Sequence, residues 1–406
     1  IIDVFPDAQS AGQTVGLSTD RLKRLLGMDI DIETVERVLG SLGFQCERSD
    51  PGRVEAAVPY WRNDINIEED LVEEVVRIIG YDSVPTTMLS TPIPSQQTTP
   101  MTSIIGTVKD TLAGAGMQEV ISYPLVSGAD LQRVHQMDES DPPLRIANPM
   151  SAEQEYLRPT LRASLLATLA ANEGHSEGPF RLFEVGRVFN HKGGELPEER
   201  DMAAGVLAGR RWDPSWLVDD STLDFYDAKG PITLVMDNLG ITCTFEPEDD
   251  PFFHPGRCAR IMVGKASLGI VGEIHPSVLE GFDLKAQPVA LLELDLPELL
   301  ASRHGSSRQV RSLSRYPAAT RDLALVVPID VPAAKVQGTL ASHRMVEKVE
   351  LFDVYSGENV ATGTKSLAFH VYFQSHERTL TAEEVSRAIQ GLLRSLEHQT
   401  GATLRG

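Results

Sequence analysis

The chain has 406 residues, 41% of them hydrophobic, and a formal net charge of −21. This length predicts two to four domains of about 100–200 residues each, and the charge argues against broad, nonspecific nucleic-acid binding. The charge is uneven, because residues 308–406 carry 12 basic and 10 acidic side chains, whereas the rest carries 25 and 48. We therefore expect the last quarter of the chain to differ electrostatically from its body.

Three cysteines, Cys46, Cys243 and Cys258, are scattered along the chain. Since none forms a C-x-x-C pair, the pattern argues against a thiolate zinc site or a disulfide framework and indicates a reducing compartment. We expect a cytoplasmic protein without a membrane partner, because no apolar run approaches the roughly 18 residues that span a bilayer. The chain begins IIDVFPD, without an initiator Met and without a signal peptide, and we interpret it as a piece of a longer protein.

Residues 1–85 are predicted to form the first domain. Two short helices, Ser18–Leu26 and Asp31–Leu42, each begin near a polar N-cap and end at a glycine. The extended segment Val54–Pro59 follows them. Two helices followed by a strand are the outline of a winged-helix-like domain, although this outline alone is a weak signal.

An acidic stretch, DINIEEDLVEE, follows that strand. Its six carboxylates lie within eleven residues: Asp64, Glu68, Glu69, Asp70, Glu73 and Glu74. If Asp70 opens a helix, Glu73 and Glu74 lie one turn later on the same face, and Mg²⁺ prefers oxygen ligands of this kind. An acidic first turn also complements the helix dipole. Composition alone therefore favours a solvated acidic face over a cation site.

A Pro-, Ser- and Thr-rich linker is predicted at residues 86–100, followed by an α+β domain at residues 101–300 with a largely antiparallel sheet. The predicted helices are Ile104–Leu112, Arg162–Asn172 and Ile232–Leu239, and the predicted strands are Glu119–Tyr123, Leu182–Val188, Met202–Leu207 and Val289–Leu294. Arg181 and Glu184 are three residues apart, which places them on opposite faces of a regular strand. The chain has no Walker A loop, nucleophile elbow, zinc-protease or dinucleotide motif, so none of these four catalytic classes is indicated.

A polar connector at residues 301–312 precedes the last predicted domain, residues 313–406. Its predicted elements are strand Asp322–Val327, helix Ala333–Ser342, strands Val346–Tyr355 and Ser366–Gln374, helix Ala382–Leu396 and strand Ala402–Arg405. This βαββαβ order is typical of a ferredoxin-like domain. Helices cover one face of such a sheet, and we expect the other face to be free for a ligand.

Cationic and aromatic residues recur in this last domain, namely Arg315, Tyr316, Arg321, Lys365 and Arg378. Arginines next to an aromatic ring grip phosphates and stack on unpaired bases, so we predict an RNA contact on one surface. A domain used only for structure or oligomerisation explains the same residues equally well.

Segments spread over nearly the whole chain resemble one family. They include VPYWRNDI at 58–65, DLVEEV at 70–75, NPMS at 148–151, LFEVG at 182–186, FYDAKG at 225–230, RYPA at 315–318 and RTLT at 378–381. In this order they resemble the beta subunit of bacterial-type phenylalanyl-tRNA synthetase, and the chain is similar to its C-terminal portion.

The resemblance implies a subunit of an enzyme that uses ATP to join phenylalanine to tRNA(Phe), with the active site and ATP on a separate alpha subunit in an (αβ)₂ heterotetramer. It implies a B5 domain whose Mg²⁺ ligands correspond to Asp64, Asp70, Glu73 and Glu74, leaving Glu68 and Glu69 as solvated charges. The middle domain then corresponds to a class II synthetase domain that has lost catalysis, and the last domain to an anticodon-binding domain. The editing domain of the family lies outside this chain.

Two other interpretations remain open on the residues alone. One is an independent metal-dependent enzyme that uses the acidic stretch, and the other is a stand-alone nucleic-acid-binding protein without a ligase role. The loss of catalysis that the resemblance implies for the middle domain agrees with residues 289–296 (VALLELDL), which lack the Gly-rich, Arg-bearing motif that grips ATP in class II synthetases. Adenylate formation therefore has no cationic clamp in this segment.

Overall fold

The computed structural model describes residues 12–88, 90, 98–138, 140–176, 178–193, 196–303, 314–357 and 360–405. The chain divides into two compact units, Ile1–Gln97 and Thr98–Gly406. The second unit contains a large, seven-stranded β-sheet and a smaller, four-stranded one, and the two sheets pack on separate hydrophobic cores. Most of the predicted linkers at 86–100 and 301–312 lies outside the described residues, and the predicted domain boundaries stay predictions.

The first unit is a small α/β domain with a three-stranded antiparallel sheet in the order β1-β3-β2. Its elements are β1 (Thr14–Ser18), α1 (Thr19–Leu26), α2 (Ile32–Ser41), β2 (Gln45–Asp50), β3 (Arg53–Ala57) and α3 (Glu68–Ile79). The two predicted helices are confirmed, because Ser18 Oγ accepts from the Arg21 N–H and Asp31 from the Thr34 N–H. The sequence did not predict β2, an edge strand that is exposed along almost its whole length and therefore has no apolar alternation.

Helix α3 begins at Glu68, two residues before the start at Asp70 that the sequence analysis supposed, and Glu73 and Glu74 still lie one turn after Asp70 within it. The Asp70 carboxylate turns back and accepts hydrogen bonds from the backbone N–H groups of Asn66 and Ile67, at 2.7 and 2.9 Å. These bonds satisfy donors at the helix start, as the second half of a capping box does. Asp70 therefore occupies the third helical position, and the apolar face of the helix, including Leu71, is buried in the core.

The second unit begins with a seven-stranded sheet in the order β4-β7-β8-β12-β11-β10-β9. Its strands are β4 (Gln118–Glu119), β7 (Phe180–Asn190), β8 (Glu198–Ala208), β9 (Thr244–Pro247), β10 (Phe253–Val263), β11 (Ala266–Ile274) and β12 (Val289–Asp295), and β5 (Leu125–Val126) pairs separately with β6 (Tyr156–Leu157). Its helices are α4 (Pro100–Gly114), α5 (Gly128–Arg133), α6 (Arg162–Glu173), α7 (Phe225–Leu239), α8 (Pro276–Gly281) and α9 (Leu296–Ser302). All neighbouring strands of this sheet are antiparallel except the β4–β7 pair, which confirms the predicted, largely antiparallel α+β arrangement.

Each face of the large sheet packs on its own core. Alternate residues of β7 point to opposite faces, so Phe183 joins the core formed with α4, α7 and α9, whereas Leu182 joins the core formed with α6 and α8. The strand predicted over Glu119–Tyr123 is shorter, Gln118–Glu119. Beyond it, the Ser122 hydroxyl donates a partly buried hydrogen bond to Glu184 at 2.6 Å.

The last sheet has four antiparallel strands in the order β14-β15-β13-β16. Its elements are β13 (Ala319–Pro328), α10 (Ala333–Ala341), β14 (Val346–Tyr355), β15 (Thr364–Phe373), α11 (Ala382–Thr400) and β16 (Thr403–Leu404), which confirms the predicted βαββαβ order. Helices α10 and α11 pack against Leu325 and Phe369 and cover one face. No helix of the described ranges is long and apolar enough to cross a membrane.

Candidate metal and RNA-binding sites

Arg62 occupies the centre of the acidic stretch in the first unit. Its Nη2 lies 2.5 Å from Asp64 Oδ2 and 3.0 Å from Glu74 Oε1, and Arg77 Nη2 lies 2.5 Å from Glu74 Oε2. The hydrogen bond from Arg62 lowers the pKa of Asp64 to about 2 and also lowers the pKa of Glu74. Guanidinium groups of the chain itself therefore neutralise two of the four predicted metal ligands.

The other two predicted ligands have different surroundings. The carboxylate of Asp70 is engaged by the backbone N–H groups of Asn66 and Ile67, whereas Glu73 is exposed and its carboxylate has no partner within the described residues. Across the described ranges, no three Asp, Glu, His or Cys side chains are grouped as ligands around one point. In this arrangement the four carboxylates do not fit a Mg²⁺ site, and the ligand set stays a prediction.

Glu68 and Glu69 are partly exposed, but each also has a partner in the chain that the expectation of solvated charges did not include. Glu68 Oε1 accepts hydrogen bonds from Ser18 N and Ser18 Oγ, at 2.8 and 3.0 Å. Glu69 forms an ion pair with Arg21, which lowers the pKa of the Glu69 carboxyl. Because α3 starts at Glu68, its first turn meets the start of α1, and both carboxylates connect the two helices.

The large sheet carries two buried arginine–carboxylate clusters on the face covered by α6 and α8. In the first, Arg158 Nη1 lies 2.7 Å from Glu184 Oε1, and Arg158 Nε donates to the Arg187 carbonyl at 2.9 Å. Gly186 makes room for this guanidinium, because a Cβ at that position would lie 2.3 Å from Arg158 Nη2. Both charged side chains are at least 95% buried.

The second cluster joins residues that are far apart in sequence. Arg162 Nε lies 2.7 Å from Glu293 Oε2, and Arg162 Nη1 lies 3.0 Å from Asp250 Oδ2. The guanidinium also lies over the rings of Phe252 and Phe253, 4.6 and 5.1 Å from their centroids. The sequence did not predict either cluster. Since their arginines are paired with internal carboxylates, neither is available to bind an anion such as ATP.

Arg181 and Glu184 lie on opposite faces of β7, as their spacing predicts. Glu184 belongs to the first buried cluster, whereas Arg181 Nη2 donates to the carbonyl of Arg211 beside the other core. The two side chains therefore do not form one anion-binding site.

Four of the five predicted RNA-binding residues gather at one end of the last sheet. Ser314 Oγ donates to the Ser375 carbonyl and Gln374 Nε2 donates to the Tyr316 carbonyl. These bonds hold residues 314–316 beside the end of β15, next to residues 376–378. Arg315 is exposed without a side-chain partner in the described ranges, and Arg321 is exposed near the start of β13. Arg378 is paired with Glu384 at 2.5 Å and lowers the pKa of Glu384 to about 2.

Lys365 lies apart from that group. In the ladder of β13 and β15, Arg321 is opposite Val371 and Lys365 is opposite Val327. Six residues of an antiparallel strand span about 20 Å, so Lys365 marks the opposite end of the sheet. Its Nζ donates to the Ile329 carbonyl at 2.8 Å. The five residues therefore do not form one cluster.

The open face of this sheet carries aromatic residues that the sequence analysis did not single out. Phe352 stacks on His370 with ring centroids 4.0 Å apart. Tyr372, two residues further along β15, donates to Glu350 at 2.7 Å and lies below Lys348. The alternation of His370 and Tyr372 with buried Val371 was a signal that could have identified this face.

Three protein families match the chain in sequential order. The tRNA synthetase B5 domain matches residues 15–81, the phenylalanyl tRNA synthetase beta chain CLM domain matches residues 84–296, and the ferredoxin-fold anticodon binding domain matches residues 314–405. The second match covers just over half of the chain.

Similar proteins include the phenylalanine–tRNA ligase beta subunits of Dehalococcoides mccartyi (strain ATCC BAA-2266 / KCTC 15142 / 195) and Geobacillus kaustophilus (strain HTA426). They are 34% and 36% identical to this chain, over 100% and 97% of its length. The alignments cover 51% and 49% of these relatives, so the chain spans about half of their length. A solved structure of pyrrolysyl-tRNA synthetase from Desulfitobacterium hafniense is 18% identical, with a TM-score of 0.40 over 53% of this chain and 74% of that one. On the family matches, the chain belongs to the family of phenylalanyl-tRNA synthetase beta chains.

Proposed function

We propose that the chain acts within the beta subunit of phenylalanine–tRNA ligase, which attaches phenylalanine to tRNA(Phe) at the expense of ATP. Its part is to support a catalytic alpha subunit in an (αβ)₂ assembly and to bind tRNA. The observation that carries this proposal is the set of three family matches, which follow one another in order from residue 15 to residue 405.

The large sheet serves as a scaffold rather than a second active site, and we propose that it is a class II synthetase domain without catalysis. The support is electrostatic. On the face with α6 and α8, Arg158 and Arg162 are buried and neutralised by Glu184, Glu293 and Asp250. A site that forms an adenylate needs cations directed at the phosphates of ATP, and these two are directed at the protein interior.

The last domain binds tRNA in this proposal through its open face and the cationic end beside it. The support is the stacked pair of Phe352 and His370, since an exposed aromatic ring on a sheet is a platform for unpaired bases. Arg315 and Arg321 lie at the end of the same sheet, where they are exposed to a phosphate backbone.

Mg²⁺ binding by Asp64, Asp70, Glu73 and Glu74 requires a rearrangement. Arg62 must release Asp64 and Glu74, and Asp70 must give up its bonds to the helix start. Glu73 has no partner to release among the residues that the structure describes.

The cytoplasmic location is supported by the three cysteines, all of them free thiols.

The proposed activity is tested with the full-length beta chain that contains these residues, co-expressed with its alpha subunit. We expect the purified pair to charge tRNA(Phe) with phenylalanine and either subunit alone to be inactive. Charging of a different tRNA, or full activity of the alpha subunit without the beta chain, would contradict the proposal.

The RNA-binding face is tested by Phe352→Ala. Loss of a stacked base costs about 1–3 kcal/mol, so we expect the affinity for an anticodon stem-loop of tRNA(Phe) to fall roughly 5- to 150-fold in a fluorescence anisotropy titration. Val354→Ala is the matched control, because Val354 is exposed on the same strand but lies beyond its bulge, opposite Leu367 rather than on the aromatic face. Equal affinities of the two variants would exclude the aromatic face as the RNA site.

A further inference from the structure

The tryptophan loop, residues 210–222, connects β8 to the start of α7 and exposes large apolar side chains. Two of the three tryptophans of the chain lie in it, and Trp212 is 56% and Trp216 91% exposed. Leu217, next to Trp216, is 71% exposed. Adjacent exposed side chains of this kind are typical of protein interaction sites, in which tryptophan often supplies most of the binding energy.

The base of the loop is firmly held. The Arg211 N–H donates to the Ser221 carbonyl at 2.8 Å, and Arg210 and Thr222 form an antiparallel bridge. The Arg211 guanidinium lies 3.3 Å from Asp224 and 2.9 Å from Asp227, at the start of α7. A tip that projects from an ordered base loses little conformational freedom on binding, so its apolar contacts contribute more to affinity.

An apolar groove continues from the loop along α7. It has a volume of about 750 Å³, and Trp212 and Tyr226 both line it. Tyr226 is 74% exposed, and Leu234, one of the groove residues on α7, is 47% exposed. The exposed apolar surface therefore extends from the tip of the loop to the side of the helix.

The charges around the tip decide what kind of partner fits. Asp213, Asp219 and Asp220 flank the exposed residues, and Asp213 and Asp219 have no ion pair within the described ranges. A symmetric contact with a second copy would place these carboxylates near their own equivalents, and a nucleic acid would bring phosphates towards them. The surface instead fits a protein that offers an apolar patch bordered by lysine or arginine.

We propose that the tryptophan loop and its groove dock the alpha subunit. The inference rests on the proposed function, which supplies the alpha subunit as the partner of this chain. Trp216 and Leu217 insert into an apolar pocket of the alpha subunit, and Asp213 and Asp219 face basic residues at the rim of that pocket, whereas Asp220 stays paired with Arg210.

The test uses the full-length beta chain and the alpha subunit, with their affinity measured by biolayer interferometry. Truncation of a tryptophan at the centre of an interface costs about 2 kcal/mol or more, so we expect the double variant Trp216→Ser, Leu217→Ser to bind at least about 30-fold more weakly. Met150→Ser is the matched control, because Met150 is 97% exposed in a different loop, and it should bind as the wild type does.

Oxidative footprinting of the wild-type pair adds a measurement without mutation. We expect Trp216 to be protected from oxidation when the alpha subunit is bound. Unchanged affinity of the double variant, or equal oxidation of Trp216 with and without the alpha subunit, would overturn the proposal. The proposal would also be overturned if the double variant kept its affinity for the alpha subunit but lost self-association or RNA binding.

Binding and charging are separate measurements, so the two proposals can fail separately. If the wild-type pair charges tRNA(Phe) while the double variant assembles normally, the docking proposal is wrong and the proposed function stands. If the subunits assemble through Trp216 without charging any tRNA, the proposed function is wrong and the docking surface stands.

Discussion

At the scale of single residues, Arg162 is a buried charged side chain that stabilises the fold. Its guanidinium is matched by Glu293 and Asp250 and lies over two phenylalanine rings. Removal of one member of a buried ion pair leaves the other charge buried and unpaired. The resulting loss of stability is larger than the stability that the intact pair contributes. The cluster therefore ties helix α6 to strand β12.

We expect Arg162→Gln to lower the free energy of unfolding by about 3–5 kcal/mol, because Glu293 then stays buried without its cation. Chemical denaturation followed by circular dichroism measures this change. The control is Arg187→Gln, since Arg187 is 53% exposed in its pairs with Glu199 and Asp201, and such surface pairs contribute about 0–1 kcal/mol. A cost for Arg162→Gln as small as that of the control would contradict the structural role.

The Arg378–Glu384 pair predicts a pH dependence. Arg378 lowers the pKa of Glu384 from its ordinary value of 4.5 to about 2. The folded state thus binds the proton less readily than the unfolded state. The stabilisation is fully present above pH of about 4.5 and is lost as the pH falls towards 2.

We expect Glu384→Gln to reduce the drop in melting temperature between pH 7 and pH 3 relative to the wild type, as measured by differential scanning calorimetry. The neighbouring Glu383→Gln is the control, because Glu383 lies in the same helical turn without an ion pair in the described residues. If both variants respond to pH alike, Glu384 has no special part in acid unfolding.

At the scale of elements, the start of helix α3 depends on Asp70 turning back to the N–H groups of Asn66 and Ile67. Helix capping and metal ligation by this carboxylate predict different effects of Mg²⁺ on the stability of the protein. A cap stabilises the helix whether or not Mg²⁺ is present, whereas a ligand adds stability only with the ion.

We expect Asp70→Ala to lower the free energy of unfolding by about 1 kcal/mol, the size of a lost cap, both in EDTA and in millimolar Mg²⁺. Thermal and chemical unfolding in the two buffers provide the comparison. Glu73→Ala serves as the control, because Glu73 is exposed without a partner in the described residues. In EDTA this substitution should hardly change the free energy of unfolding. If both variants are less stable than the wild type only when Mg²⁺ is present, the predicted ligand set is supported. Helix capping then does not explain the role of Asp70.

At the scale of the whole molecule, the charge is divided between a strongly acidic body and a nearly neutral last domain. Residues 308–406 carry 12 basic and 10 acidic side chains. If the chain binds RNA as proposed, we expect the contact at the surface where cations are free, since the acidic body repels phosphates. Salt then affects the binding through the few cations that contact the backbone.

We expect the logarithm of the RNA affinity to fall linearly with the logarithm of salt concentration, with a slope of about −0.7 for each contacted phosphate of a single strand. Replacement of both Arg315 and Arg321 by Gln should make the slope shallower by about 1.4 units. Lys365→Gln is the informative comparison, because Lys365 lies at the other end of the sheet. If Lys365→Gln changes the slope as much as each of the two arginines, the RNA covers the whole sheet.

Local signals in the sequence were sufficient for much of the fold. Capping residues and glycines located α1 and α2, and the alternation of strands and helices located all six elements of the βαββαβ domain, with Val346–Tyr355 matched in full and the other bounds within four residues. These elements are determined by neighbours a few positions away. Strand β2 was missed because an exposed edge strand has no buried face to pattern it.

The candidate sites depended far more on long-range contacts. The sequence by itself determined the presence of six carboxylates, the acidic body and the cationic residues of the last domain. Only the tertiary structure decided that Arg62 neutralises Asp64 and Glu74, that Glu68 reaches Ser18, and that Lys365 is separated from Arg321. The physical reason is that a charge acquires its role from the partners nearest in space, and Glu293, one of the two carboxylate partners of Arg162, is 131 positions away in the chain.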